Sequence, residues 1–170
     1  DGTYKISVDP SYKTLVSSIN IPSTYNGKAV TEIASYAFQS AKQLREVYIP
    51  DSVTYIGDGI FLGCESLTDI TIDENNTKYY VFENCIIEKE TRTLVAASIN
   101  GVIPNNGSVT AIGDCVFWGH YEFTSINIPD SVTSIGSFAF EYCYSLTNVT
   151  IGNGVTSIGN RAFGSCDSLK

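Results

Sequence analysis

The sequence predicts a β-rich repeat solenoid, right-handed, with short parallel strands and short helical turns. Three observations predict it. The phrase Val132-Thr133-Ser134-Ile135-Gly136 recurs as Val53-Thr54-Tyr55-Ile56-Gly57, Val109-Thr110-Ala111-Ile112-Gly113 and Val155-Thr156-Ser157-Ile158-Gly159, with a fainter copy at Val30-Thr31-Glu32-Ile33-Ala34. The step from Val30 to Val53, from Val109 to Val132 and from Val132 to Val155 is 23 residues each time. Phe38, Phe61, Phe117, Phe140 and Phe163 keep the same register within their turns. A period in the twenties is that of a solenoid whose rungs bury their apolar faces only against one another.

Each part of the rung has a physical reason. The tail Leu146-x-x-Val149-x-Ile151, matched by Leu67, Ile70 and Ile72, alternates at its end as a strand with one buried face must. Val-Thr-x-Ile is a second short strand, entered through a Pro-Asp-Ser or Gly-Asn-Gly corner and left through a glycine expected to relax the backbone. Between the strands, Ala139-Phe140-x-x-Cys143-x-x-Leu146 spaces apolar residues three apart, which predicts a single helical turn. Stacking in register then puts the five phenylalanines in one buried column.

Two regions depart from the period. Val53 and Val109 are 56 residues apart, two periods plus ten, so one rung, about 73–104, is enlarged. Its apolar stretches Tyr79–Phe82, Cys85–Ile87 and Leu94–Ala97 predict a hairpin-like excursion of extra strands. Residues 1–18 carry no copy of the phrase; alternation at Tyr4, Ile6 and Val8, then at Leu15, Val16 and Ile19, predicts capping strands over the first rung. At the other end Leu169-Lys170 stands where earlier rungs continue into a strand such as Thr147–Ile151. The last rung is therefore expected to be incomplete, in a chain with further repeats, and the isolated piece is expected to shield that end by self-association or by fraying of Asn160–Lys170.

The unit Ile-Pro-Asp-Ser-Val-Thr-Ser-Ile-Gly-x-x-Ala-Phe-x-x-Cys-x-x-Leu-x-x-Ile-x-Ile resembles the BspA-like, or Treponema-type, leucine-rich repeat. Ile21–Ile33 resembles the opening repeat of that family and Asp73–Ile87 its enlarged rung, so the likeness runs over residues 19–170. The resemblance implies secreted or cell-surface proteins of host-associated bacteria and some protists, several of them adhesins for host matrix proteins or other microbes. It brings no catalytic residues with it.

Composition narrows the functions. Of 170 residues 43% are hydrophobic, enough for a core. Ten basic residues stand against 18 acidic ones, a net charge of −8, and no Lys or Arg cluster offers a surface for nucleic acid or anionic lipid. Apolar runs fall far short of the roughly 20 residues of a membrane-spanning helix, so no membrane insertion is expected. Cys64, Cys143 and Cys166 share one rung position with Ala41 and His120, a niche for a small buried group, and are expected to be buried thiols. No Cys or His pair has zinc spacing, so neither metal nor other cofactor is expected. His120, the single histidine, is expected to be partly buried and satisfied, and with no nucleophile or paired acids singled out the chain is not expected to be an enzyme.

Two surfaces remain as candidates for a partner. Trp118, Tyr121, Tyr142 and Tyr144 fall on two neighbouring rungs, with Tyr121 and Tyr144 one period apart. Aromatic residues with polar handles are characteristic of interfaces, although large side chains also cover the base of a neighbouring turn. The strand face offers Tyr48, Asp69, Asn127 and Asn148 among small polar residues, a composition that suits an ordinary solvated sheet as well as a recognition surface. The expected function is an adhesin-like interaction module for a host matrix protein, another surface protein or a glycan. The alternative is a structural spacer with no ligand of its own.

Overall fold

The computed structural model describes residues 2–9, 11 and 15–170; the remainder of the expected N-terminal cap lies outside the described residues. The cap and first turn comprise β1 (Tyr4–Ile6), β2 (Ser18–Asn20), β3 (Thr24–Tyr25) and β4 (Lys28–Ile33). The second turn adds β5 (Glu46–Ile49), β6 (Tyr55–Ile56) and β7 (Asp69–Ile72). Three strands follow in the enlarged turn: β8 (Tyr79–Phe82), β9 (Cys85–Glu88) and β10 (Thr93–Ala97). Regular turns resume with β11 (Ala111–Ile112), β12 (Ser125–Ile128), β13 (Ser134–Ile135), β14 (Asn148–Ile151) and β15 (Ser157–Ile158).

Both repeated strands stack in parallel, as their alternation requires. The Leu-x-x-Ile-x-Ile strands form one ladder, β2-β5-β7, and a second, β12-β14, in which Ser125 faces Asn148 and Ile128 faces Ile151. The Val-Thr-x-Ile strands pair as β4-β6 and as β11-β13-β15. β1 lies parallel to β4 on its free side, which covers the first rung at this edge. Threonine hydroxyls reinforce the stack: Thr133 Oγ1 donates to the Thr110 carbonyl at 3.0 Å and Thr156 Oγ1 to that of Thr133 at 3.1 Å.

The enlarged turn forms an antiparallel meander, β8-β9-β10, whose last strand joins β11 in parallel. It acts as a partition. Tyr79, Val81, Ile86 and Ala96 pack with the core of the first turns, while Tyr80, Cys85, Ile87, Leu94 and Ala97 pack with that of the later ones. A strand sends alternate side chains to opposite faces, so a meander buried on both faces closes two cores at once.

That partition corrects the single phenylalanine column. Phe38 stacks on Phe61 at 5.7 Å, and Phe117, Phe140 and Phe163 form a second stack at 5.2 and 5.1 Å between successive ring centroids. No ring contact joins Phe61 to Phe117 among the described residues, because the one phenylalanine of the enlarged turn, Phe82, is exposed at the end of β8 and takes no place in the stack. Phe163, with a ring on one side only, is half-buried.

Two local expectations also change. No helix occurs among the described residues: the Ala-Phe-x-x-Cys segment is a run of turns. Two of its positions are left-handed in every turn, Tyr36 and Ser40 (φ 60 and 62°), Cys115 and Gly119 (57 and 70°), Phe138 and Tyr142 (58 and 61°), which no α-helical turn tolerates. The glycine closing the Val-Thr-x-Ile phrase serves close approach rather than backbone freedom. A Cβ on Gly136 would lie 2.5 Å from the Gly113 carbonyl carbon of the preceding turn.

Candidate functional site

The turn positions just described place the aromatic residues. Trp118 and Glu141 hold the same rung position one period apart, so stacking brings them side by side, and the indole Nε1 donates to Glu141 Oε2 at 3.0 Å. The other carboxylate oxygen of Glu141 meets Arg161 Nε at 2.8 Å. Glu141 is buried, so its charge is held by these two partners rather than by water, and they fix the indole. Tyr142 meets the Trp118 ring edge to face at 5.0 Å.

Tyr121 and Tyr144 are the exposed members. Their rings stack at 5.7 Å, 5° from parallel, with 39% and 43% of each residue open to solvent. Tyr142 leans on Tyr144 at 5.8 Å. The four aromatic residues thus form one contiguous patch, Trp118 and Tyr142 half-buried and Tyr121 and Tyr144 outermost. The main chain beneath is held across turns, Gly119 N–H donating to the Glu141 carbonyl at 2.7 Å and Tyr142 N–H to that of Gly164 at 2.9 Å.

The strand face is not brought together in the same way. Tyr48 and Asp69 lie in the ladder β2-β5-β7, Asn127 and Asn148 in the separate ladder β12-β14. Tyr48 is engaged internally, its hydroxyl donating to Asp73 Oδ2 at 2.6 Å, a bond that raises the phenol pKa and lowers that of the carboxyl. Asp69 sits opposite Glu46 and accepts from Thr68 Oγ1 at 2.6 Å. Asn127 and Asn148 are exposed.

The small niche is a specific hydrogen-bonding slot. Cys64, Cys143 and Cys166 are buried and donate to the carbonyls of Phe38, Phe117 and Phe140 in the preceding turn, at 3.0, 3.3 and 3.2 Å. Burial pushes the Cys143 thiol up to about 12, so it is protonated at neutral pH and inert as a nucleophile. His120 occupies the slot in the fourth turn, against Phe117 and Phe123 at 5.4 and 5.0 Å. Contrary to expectation it is not satisfied, for its Nδ1 is enclosed without a hydrogen-bond partner. Burial lowers its pKa to about 4, so the ring is neutral at pH 7.

Three residues carry structure that the sequence pattern conceals. Buried Asn76 donates through Nδ2 to the carbonyls of Pro50 and Val53 at 2.9 and 3.0 Å and accepts through Oδ1 from the N–H groups of Lys78 and Tyr79 at 2.9 and 2.8 Å. Tyr79 then caps the end of β6, accepting at its hydroxyl from Ile56 N–H. Glu141, the third, could have been found from its alignment with Trp118 one period away.

A solenoid of parallel strands in which leucine, isoleucine and phenylalanine recur once per turn is a leucine-rich-repeat scaffold. The profile of the BspA type leucine rich repeat region matches residues 11–101 and 96–170, six copies in all, and the chain belongs to this family. No curated protein matches it. Among solved structures it is similar to a leucine rich cell surface protein of Faecalibacterium prausnitzii A2-165, with 24% identity, a TM-score of 0.67 and coverage of 94% of this chain and 48% of that one. It also resembles the pneumococcal vaccine antigen PcpA, with 14% identity, a TM-score of 0.67 and coverage of 91% and 50%. A leucine-rich repeat protein of Eubacterium ventriosum gives 20% identity, a TM-score of 0.57 and coverage of 99% and 59%. The chain thus spans about half the length of the first of these, and at such identities the likeness is one of fold.

Proposed function

We propose that the chain is an adhesin-like interaction module, secreted or displayed at a cell surface, that docks a protein or glycan partner, such as a host matrix protein, on the patch of Trp118, Tyr121, Tyr142 and Tyr144. The observation that carries this reading is the parallel stack of Tyr121 on Tyr144, solvent-exposed and mounted on turns locked by main-chain bonds. Rigid aromatic groups lose little entropy on binding and bring large amphipathic area to an interface. Tyr48, Asp69, Asn127 and Asn148 form a secondary, more polar surface. The family and the cell-surface description of the Faecalibacterium protein support placing the module outside the cell.

A spacer role draws support from the threonine hydroxyls that stitch successive turns, which stiffen the rod whether or not it binds anything. The experiment is a binding screen against immobilised matrix proteins and glycans with the wild type and a Tyr121→Ser/Tyr144→Ser variant. The module reading expects a ligand whose affinity falls at least tenfold in the variant while the melting temperature barely moves. Affinity unchanged by the variant would move the site to the strand face, and no ligand at all would favour the spacer.

A further inference from the structure

Along the phenylalanine edge, ordinary junctions between turns are joined by main-chain bonds at alternate residues. The N–H groups of Tyr36, Phe38 and Ser40 donate to the carbonyls of Asp58, Ile60 and Leu62 at 3.0, 3.0 and 2.8 Å. The same pattern joins residues 115–119 to 137–141 and residues 138–142 to 160–164. One junction lacks it. The repeat aims the N–H groups of Gly59, Phe61 and Gly63 at the carbonyls of Asp114, Val116 and Trp118, yet among the described residues none of these six groups has a hydrogen-bond partner. The enlarged turn, which lies between them in sequence, carries no Ala-Phe-x-x-Cys segment to fill the place.

The gap is a cleft. At one end Gly59 lies against Tyr36 and Cys115, so close that a Cβ there would sit 2.9 Å from the tyrosine ring. Beyond this end a cavity of about 250 Å³ opens, with Phe61 and Gly63 on one wall, Trp118 and His120 on the other, and Ile99 between. Glu65 and Glu122 also line it; Glu65 is paired with Lys42 at 2.7 Å, while Glu122 has no ion pair among the described residues.

We propose that this cleft binds an extended segment of a partner protein that supplies the missing rung. Its carbonyls accept from the N–H groups of Phe61 and Gly63, its N–H groups donate to the carbonyls of Val116 and Trp118, and a lysine or arginine side chain reaches Glu65 and Glu122. Main-chain groups left unpaired in a partly desolvated site favour a ligand that pairs them, and strand addition meets that demand with affinity from the backbone and selectivity from side chains. The two carboxylates and the faces of Trp118 and Tyr121 favour a cation. Donors on one wall and acceptors on the other, each on alternate residues, match a peptide backbone better than the scattered hydroxyls of a glycan. The site adjoins the aromatic patch, shares Trp118 and Tyr121 with it, and specifies the kind of partner that the module reading leaves open.

Trp118 is the single tryptophan, so its fluorescence reports this cleft directly. The protein is titrated with a blocked pentapeptide carrying a central lysine, with the same peptide N-methylated at alternate amides, and with a neutral trisaccharide, while amide nitrogen–proton spectra are recorded. The expected result is a saturable fluorescence change with the plain peptide and shifts with slowed hydrogen exchange at the Phe61 and Gly63 amides. N-methylation or Glu122→Lys should each weaken binding at least tenfold, and Ile99→Phe, which fills the cavity, should abolish it. Ile158→Ser, exposed on β15 and outside both the cleft and the aromatic patch, should leave it unchanged, whereas peptide binding lost in Tyr144→Ser but kept in Glu122→Lys would place the peptide on the aromatic patch and overturn this site. No saturable response to the peptide, equal binding of the N-methylated form, or a response to the trisaccharide alone would overturn the proposal.

Discussion

The Tyr79 hydroxyl accepts a hydrogen bond from the Ile56 N–H at 3.1 Å, a side chain filling the place that the main chain of a regular neighbouring turn would take. β6 pairs with β4 on one side, and on the other the parallel ladder stops at this phenol. The meander therefore ends one half of the solenoid with side chains and begins the other half with a strand.

Tyr79→Phe keeps the packing and removes the acceptor, leaving a buried N–H without a partner. We expect a loss of about 1–3 kcal/mol in urea unfolding. Tyr80→Phe, on the opposite face of the same strand and with no side-chain hydrogen bond among the described residues, should cost less than about 0.5 kcal/mol. Equal effects of the two substitutions would show that Tyr79 serves as packing alone.

Gly136→Ala should be among the most damaging single-methyl additions in the chain, because the new Cβ would fall 2.5 Å from main-chain atoms of Gly113. Backbone cannot rotate aside as a side chain can, so the turns must separate, at a cost of about 3 kcal/mol or more. Gly113→Ala changes the same phrase position, but its Cβ would meet the Leu94 carbonyl at 3.1 Å across the looser junction with the meander. Thermal melting should rank Gly113→Ala well above Gly136→Ala, and a reversed order would refute the close-approach account.

Phe140→Ala removes the middle ring of a stack of three, fully buried between Phe117 and Phe163. It should cost about 3–5 kcal/mol. Phe163→Ala removes a half-buried ring with one stacked neighbour and should cost about half as much. Denaturant titrations of both variants provide the comparison.

What could be read from the sequence, and what could not, divides along physical lines. Period and alternation locate the parallel strands, the phenylalanine register and the cysteine slot, because each depends on a residue type recurring at a fixed step. Side-by-side placement of Tyr121 and Tyr144 follows from the same step. The break between Phe61 and Phe117 does not, since an insertion shows its length but not the partition it builds. Asn76 and Tyr79 occur once each in their roles, so no repetition marks them. The expected helical turns failed because left-handed residues at Tyr36, Phe138 and Tyr142 carry ordinary side chains, and only Gly59, Gly63 and Gly119 hint at that backbone.

His120 gives the chain a specific sensitivity to acid. Burial holds its folded pKa near 4, below the ordinary value of 6.5, so the unfolded chain takes up the proton first as pH falls. Its contribution to stability is present above pH 6.5 and is lost progressively toward pH 4. His120→Cys installs the residue found in this slot on three other turns and removes the titration. Carboxylates titrate in both proteins, so the difference between their stabilities isolates the imidazole. Between pH 7 and pH 4 the wild type should lose roughly 2–3 kcal/mol more than the variant. Parallel stability curves for the two proteins across that interval would mean that the ring is hydrated in the folded state and that its niche is open to water.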